Sequence, residues 1–310
     1  MVDFIDYWCS RTGVVAKRLC GWLDVSPCKI CAWRKRRGAS NRHGCNLPHA
    51  NWLLPWERQA IVDFYLEHED EGYRRCAYMM VDQDIACVPP STVYKVLKKA
   101  GVLRRKGGKK SRKGSGFDQP DAPHQHWHID ITYVHIAGRH TYLTTVIDGY
   151  SRYIVASVLR EHMTNADVDL CIQQAHERFP NAHPRIISDN GKQFMSRDFK
   201  ELLGIHGFSH VRTSPFYPQS NGKIERWHKS VKGECISSKY FGTLEQAAEV
   251  IQGYIDYYNM ERLHSAIGYV TPYDMLCGRK DQIVAEREAK LDAARRTGWD
   301  RWQDENRQIG

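Results

Sequence analysis

Residues 186–194 read Ile186-Ile187-Ser188-Asp189-Asn190-Gly191-Lys192-Gln193-Phe194, and residues 214–226 read Ser214-Pro215-Phe216-Tyr217-Pro218-Gln219-Ser220-Asn221-Gly222-Lys223-Ile224-Glu225-Arg226. The β-branched pair Ile186-Ile187 predicts a strand that carries Asp189 at its end. The Pro/Asn/Gly-rich stretch from Ser214 predicts a loop that releases the chain into a helix bearing Glu225. Thirty-five residues, 190–224, separate the two acids. Upstream, Trp127-His128-Ile129-Asp130-Ile131-Thr132-Tyr133 places a third acid in an alternating run. Carboxylates on a strand, a strand end and a helix suit a site for hard divalent cations, which take oxygen ligands and share them with phosphate.

Working outward, alternation puts Trp127, Ile129, Ile131 and Tyr133 on one strand face and His128, Asp130 and Thr132 on the other. Residues 141–147 and 153–159 read as two further strands joined by a tight turn at Asp148-Gly149-Tyr150-Ser151. Val168, Ile172, Ala175 and Phe179 mark a helix, residues 185–188 a fourth strand, 196–203 a helix and 208–212 a fifth strand. Three strands followed by helix, strand, helix, strand predict an α/β sheet, antiparallel first and parallel later. The Glu225 helix is expected over 219–237, with Ile224, Trp227, Val231 and Cys235 as its buried stripe and Glu225, Lys229 and Lys232 together on a neighbouring face. Another helix spans 244–259. Asp148 opens a turn and is expected to bond its own backbone, which leaves it out of the acidic set. His128 shares a strand face with Asp130 and is a secondary candidate for touching a metal-bound water.

The ordered set of blocks resembles the catalytic domain of retroviral integrases and bacterial insertion-sequence transposases of the Asp-Asp-35-Glu group. The blocks are the Asp130 strand, Asp148-Gly149-Tyr150-Ser151-Arg152, Ser188-Asp189-Asn190-Gly191 with Gln193-Phe194, Pro218 to Arg226 with Lys232 and Glu234, and Tyr258-Asn259 with Arg262, His264 and Thr271-Pro272. The resemblance covers roughly residues 124–276 and implies a ribonuclease-H-like fold with a mixed five-stranded sheet and flanking helices. It implies Asp130, Asp189 and Glu225 as catalytic residues and ligands of two Mg²⁺ ions, replaceable by Mn²⁺, with Lys232 against the transposon end. The implied activity is binding of transposon-end DNA, metal-dependent 3′-end cleavage and strand transfer into target DNA by a homo-oligomer assembled on double-stranded DNA. A DNA-binding regulator with a non-catalytic core and a host nuclease of the same fold are the competing readings. The family pattern has Pro between Arg and His where this chain has Leu263.

Bulk composition agrees with a DNA-acting protein. The 310 residues carry a formal net charge of +9, and counting along the chain puts 22 Lys+Arg against 13 Asp+Glu in residues 1–122 but 23 against 23 in residues 123–310. The positive excess therefore lies in the first part, where nucleic acid is expected to be gripped. The ten cysteines have no framework spacing and predict reduced thiols. Without a signal peptide or an apolar run of membrane-spanning length, the expected location is the cytoplasm.

Residues 1–48 are expected to form a helix-turn-helix. Val15, Leu19 and Leu23 mark one helical face; Ser26-Pro27 start a second helix with Ile30 and Trp33 inward. Lys29, Arg34, Lys35, Arg36 and Arg37 are its candidate DNA contacts. Cys28 and Cys31 with His43 and Cys45 have zinc-like spacing, but the first two fall inside the expected recognition helix, where they can pack as small apolar residues. Residues 49–104 are expected to form a second such unit, helical or winged, with Ser91 as an N-cap, Val93, Val96 and Leu97 inward, Gly101 as the stop and Lys95, Lys98, Lys99, Arg104 and Arg105 as DNA contacts. Residues 105–122 read as a basic flexible linker, since residues 95–113 hold ten Lys or Arg and no acid. The catalytic core is expected over 123–277. The tail, 278–310, reads as a helix used in assembly or simply solvated.

Overall fold

A computed structural model describes residues 1–38, 53–68, 70–103, 119–136, 138–213, 221–237 and 239–309, with side chains described to residue 300. The chain divides into two units, Met1–Ala50 with Trp299–Gly310, and Asn51–Gly298.

The first unit contains α1 (Val2–Thr12), α2 (Ala16–Trp22) and α3 (Pro27–Lys35) around Ile5, Leu19, Cys20 and Ile30. The α2–turn–α3 pair lies where the apolar spacing predicts it. Its inner face differs: Val15, Leu23 and Trp33 are exposed, and the core is completed by Ile5 of α1. Cys28 and Cys31 are also exposed rather than packed. Pro27 starts α3 at its first turn, but the Ser26 side chain makes no capping hydrogen bond.

In the second unit α4 (Pro55–Glu67), α5 (Tyr73–Asp82) and α6 (Pro90–Ala100) enclose Ile61, Phe64, Cys76, Met80, Val93 and Leu97. Glu57 Oε2 accepts the Leu54 N–H at 2.6 Å and closes the first turn of α4. The N-cap of α6 is Pro89, two residues earlier than expected, because Pro90 with its fixed φ already suits the first helical position and draws Ser91 into the helix. Gly101 ends α6 at φ 75°, a left-handed conformation that only glycine adopts at little cost.

The sheet is formed by β1 (His126–Ile136), β2 (Arg139–Asp148), β3 (Ile154–Arg160), β4 (Arg185–Ser188) and β5 (Ser209–Arg212), in the order β3-β2-β1-β4-β5. β1, β2 and β3 pair antiparallel, and β1, β4 and β5 pair parallel. This is the ribonuclease-H-like mixed sheet. One face carries Trp127, Ile129 and Ile186 against α7 (Asn165–Arg178), the short α8 (Lys192–Met195) and α9 (Arg197–Ile205). The other carries Val134, Ile136, Leu143 and Ile147 against α10 (Gly222–Ser230) and α11 (Leu244–Met260). Covering both faces explains why β1 is buried without alternation from His126 to Ile129.

The Glu225 helix is not a uniform α-helix to 237. At Val231 it widens into a π-helical turn, Val231–Ile236, through which Val231 and Cys235 stay buried while Glu234 reaches Arg262. The chain closes with α12 (Pro272–Leu276) and α13 (Lys280–Ile309). Helices α4–α6 meet the sheet-bearing part through Asp82 and Arg287, whose two hydrogen bonds are 2.6 and 2.7 Å long, through stacked Tyr78 and Tyr269, and through the Tyr257 hydroxyl, which donates to Glu71 at 2.6 Å. Leu263, where the family pattern has Pro, is buried.

Candidate active site

Asp130 and Asp189 are brought together by strand register. β1 and β4 run parallel with His128 opposite Ile187 as the last pair, and each acid lies two residues beyond that pair (128 + 2 and 187 + 2). Ser188 is fully buried and its hydroxyl donates to the Asp189 carbonyl at 2.9 Å, while Asp189 Oδ1 accepts the Gly191 N–H at 2.8 Å. Those bonds hold the strand end in a sharp turn, with the Asp189 side chain exposed.

Glu225 arrives from the other side of the sheet. Ile224, Trp227, Val231 and Cys235 form the buried stripe of α10 and its π-helical extension, as the spacing predicts. Glu225, Lys229 and Lys232 are exposed beside it and line one open groove with His228.

Asp130 is the acid whose surroundings perturb it most. Burial pushes the Asp130 carboxyl up to about 6; its bond from the Ile131 N–H opposes this, and the negative charges of Asp189 and Glu225 raise it further while Lys232 lowers it. Two aspartates and a glutamate form an all-oxygen donor set of the kind that Mg²⁺ or Mn²⁺ takes. Among the described residues no three His, Cys, Asp or Glu side chains stand close enough to enclose one metal ion. The three acids are thus within electrostatic reach without closing a coordination shell.

One expectation about neighbours changes, that for His128. His128 is completely buried and lies against the Asp148–Arg152 turn: a Cβ added at Gly149 would sit 3.0 Å from His128 Nε2 and 3.0 Å from the His126 carbonyl. Burial, with Lys223 and Arg152 nearby, pulls its pKa down to about 3. The imidazole beside Asp130 is instead His228, with Nδ1 3.6 Å from Asp130 Oδ2. Burial and then Lys232 lower the His228 pKa to about 4. Sequence reasoning passed over His228 because strand alternation pointed to His128; the spacing Glu225 to His228, one helical turn, was the available signal. Asp148 is structural: its Oδ2 accepts from the Ser151 N–H at 2.7 Å and hydroxyl at 2.6 Å, and Oδ1 accepts from the His124 N–H at 2.9 Å.

The other sequence candidates are dispersed. In α3 and just after it, Arg34 pairs with Asp6, Arg37 with Asp3 and Asp6, and Lys29 lies 5.6 Å from the Trp33 ring centroid; Lys35 and Arg36 are exposed. Lys95, Lys98 and Lys99 line the exposed side of α6. Arg104 and Arg105, most of the basic linker, and the zinc candidates His43 and Cys45 lie outside the described residues. No described helix is long and apolar enough to cross a membrane.

Comparison with known proteins gives the family. Two integrase core domain models match residues 120–218 and 206–272. The transposase for insertion sequence element IS904 of Lactococcus lactis is 30% identical over 175 residues, covering 53% of this chain and 69% of that protein. The insertion element IS407 uncharacterized 31.7 kDa protein of Burkholderia multivorans is 26% identical over 284 residues, covering 85% and 97%. A 39.2 kDa protein of insertion element IS476 from Xanthomonas euvesicatoria is 27% identical over 228 residues, 72% of this chain but 65% of that protein, so the match spans less than two thirds of this relative. The solved catalytic core domain of BIV integrase is 24% identical, covers 51% of this chain and 97% of its own, and superposes with a TM-score of 0.41. The chain belongs to the insertion-sequence transposases built on an integrase core domain.

Proposed function

We propose that this chain binds the ends of a mobile element and performs two phosphoryl transfers in one site, freeing a 3′-hydroxyl at the element's end and joining it to target DNA. The observation that carries this reading is the parallel β1–β4 register that sets Asp130 and Asp189 two residues beyond the same pair, with Glu225 lining a groove beside His228, whose Nδ1 lies 3.6 Å from Asp130 Oδ2. Asp130, Asp189 and Glu225 would hold two divalent ions, Mg²⁺ or in substitution Mn²⁺. When bound, such ions supply charge neutralisation at the attacking and leaving oxygens. The chain's own part is to orient the strand: Lys229 and Lys232, in the groove with Glu225, would take phosphates next to the reacting one. Lys29, Arg34, Lys35, Arg36 and Arg37 in the first unit, and Lys95, Lys98, Lys99, Arg104 and Arg105 in the second, would grip the double-stranded end.

In this reading residues 1–48 and 49–104 are two DNA readers, 105–122 a basic linker, 123–277 the catalytic core and 278–310 a tail, and the working form is a homo-oligomer on DNA. Incubating the full chain, Mg²⁺ or Mn²⁺ and a labelled duplex carrying the element's end tests it. Joined products are expected. Nicks without joining would point to a nuclease, and metal-independent binding without cleavage to a regulator.

A further inference from the structure

His228 sits one turn beyond Glu225 on α10, and its side chain is only 9% exposed. Nδ1 faces Asp130 Oδ2 at 3.6 Å, and Nε2 is buried with no hydrogen-bond partner among the described residues. Asp130 Oδ1, by contrast, accepts the Ile131 N–H at 2.8 Å. One carboxylate oxygen is therefore pinned by the main chain, and the other looks at an imidazole slightly beyond hydrogen-bond length. An apolar side chain would fill the same volume without burying an unpaired nitrogen, so the imidazole is explained by what its ring can direct, not by packing.

We propose that His228 is a positioning residue for Asp130: with a proton on Nδ1 it donates to Asp130 Oδ2 and fixes the rotation of a carboxylate that would hold a metal ion. Because Glu225 and His228 are three residues apart on one rigid helix, the same donation sets the spacing between Asp130 and Glu225. This rests on the reading of the three acids as a metal site. Groups that orient metal-binding carboxylates change metal affinity without being ligands themselves.

The test measures Mn²⁺ binding to the full chain by titration calorimetry in the absence of DNA, with urea melts to confirm folding. His228→Phe fills the volume and removes the donor; Mn²⁺ affinity is expected to fall about 10- to 100-fold. His228→Asn places an amide N–H near the Nδ1 position and should restore most of the affinity. His228→Gln places its amide near Nε2 and should not, so the Asn–Gln contrast decides the matter even if the Phe variant fails to fold. Native-like affinity in a folded His228→Phe chain, or equal affinities for Asn and Gln, would overturn the proposal. Asp130→Asn separates it from the underlying reading: unchanged Mn²⁺ binding there would sink the three-acid site itself, whatever His228 does.

Discussion

The indole N–H of Trp227 donates to Thr145 Oγ1 at 3.3 Å, and Thr145 is the cross-strand partner of Asp130. Both residues are buried, and Trp227 also meets Tyr258 edge-on with centroids 4.7 Å apart. Through this contact the helix bearing Glu225 is docked against the strand pair bearing Asp130, two residues from the acid it positions. Thr145→Val keeps the shape but leaves the indole N–H unpaired, and should cost about 1–3 kcal/mol in urea unfolding. Trp227→Phe adds a cavity to that loss and should cost more.

Asp189→Asn should abolish both cleavage and joining while leaving end binding nearly unchanged, because in the proposed reading the exposed carboxylate holds an ion, whereas the Asn Oδ1 can still accept the Gly191 N–H that shapes the turn. A loss of several kcal/mol of transition-state stabilisation corresponds to about 10³-fold or more in rate. Gel-shift and strand-transfer assays on the same preparation check it, and normal joining by the variant would defeat the assignment.

These two positions show what the sequence could and could not reveal. Ile186-Ile187 before Asp189, and the Ile224, Trp227, Val231, Cys235 stripe, were readable because burial imposes a period of 2 or 3.6 on the chain. The parallel register that aligns Asp130 with Asp189 follows from sheet pairing between distant segments, which no local pattern encodes. The change from α to π winding at Val231 and the approach of His228 to Asp130 are likewise tertiary. Helix α1 went unread because Phe4, Tyr7 and Trp8 stay substantially exposed while Ile5 alone is fully buried, so its apolar residues do not mark an inner face.

Gly149 admits no side chain without displacement. A Cβ there would lie 3.0 Å from both the His126 carbonyl and His128 Nε2, and the first of these is backbone. The Gly149 carbonyl also accepts from Arg152 at 2.7 Å and Lys223 Nζ at 2.8 Å, tying the start of α10 to the turn between β2 and β3. Gly149→Ala should therefore destabilise the fold by about 1–3 kcal/mol, measurable by urea unfolding, and should lower cleavage by shifting α10.

Acid should weaken the contact between the π-helical turn and the loop after α11. Burial pushes the Glu234 carboxyl up, but the hydrogen bonds and charge of Arg262, the Tyr254 hydroxyl and the charge of Arg75 outweigh it, leaving its pKa below the ordinary 4.5. A carboxyl depressed in the folded state stabilises above its unfolded pKa, and that stability is lost as pH falls through the folded value. Urea midpoints should thus decline below about pH 4.5, and Glu234→Gln should flatten that part of the decline while lowering stability at neutral pH. An unchanged acid limb in the variant would contradict the assignment.

The Asp82–Arg287 pair should account for a large part of the adhesion of α5 to α13. Arg287 is 6% exposed at its side chain, donates to both Asp82 oxygens and to the Tyr269 carbonyl at 2.8 Å, and lies 5.0 Å from the Tyr78 ring centroid. Asp82 is itself 36% exposed, so water can reach the vacated place beside Arg287 and Asp82→Ala should destabilise by about 1–3 kcal/mol, less than for a fully buried pair. Replacing both partners, as in Asp82→Ala with Arg287→Met, removes the stranded charge and should recover part of that loss. A double-mutant cycle in urea should return a coupling of about 1–3 kcal/mol. Additive effects would mean that the two helices are held by other contacts, such as the Lys290 ammonium on the Val81 and Asp82 carbonyls.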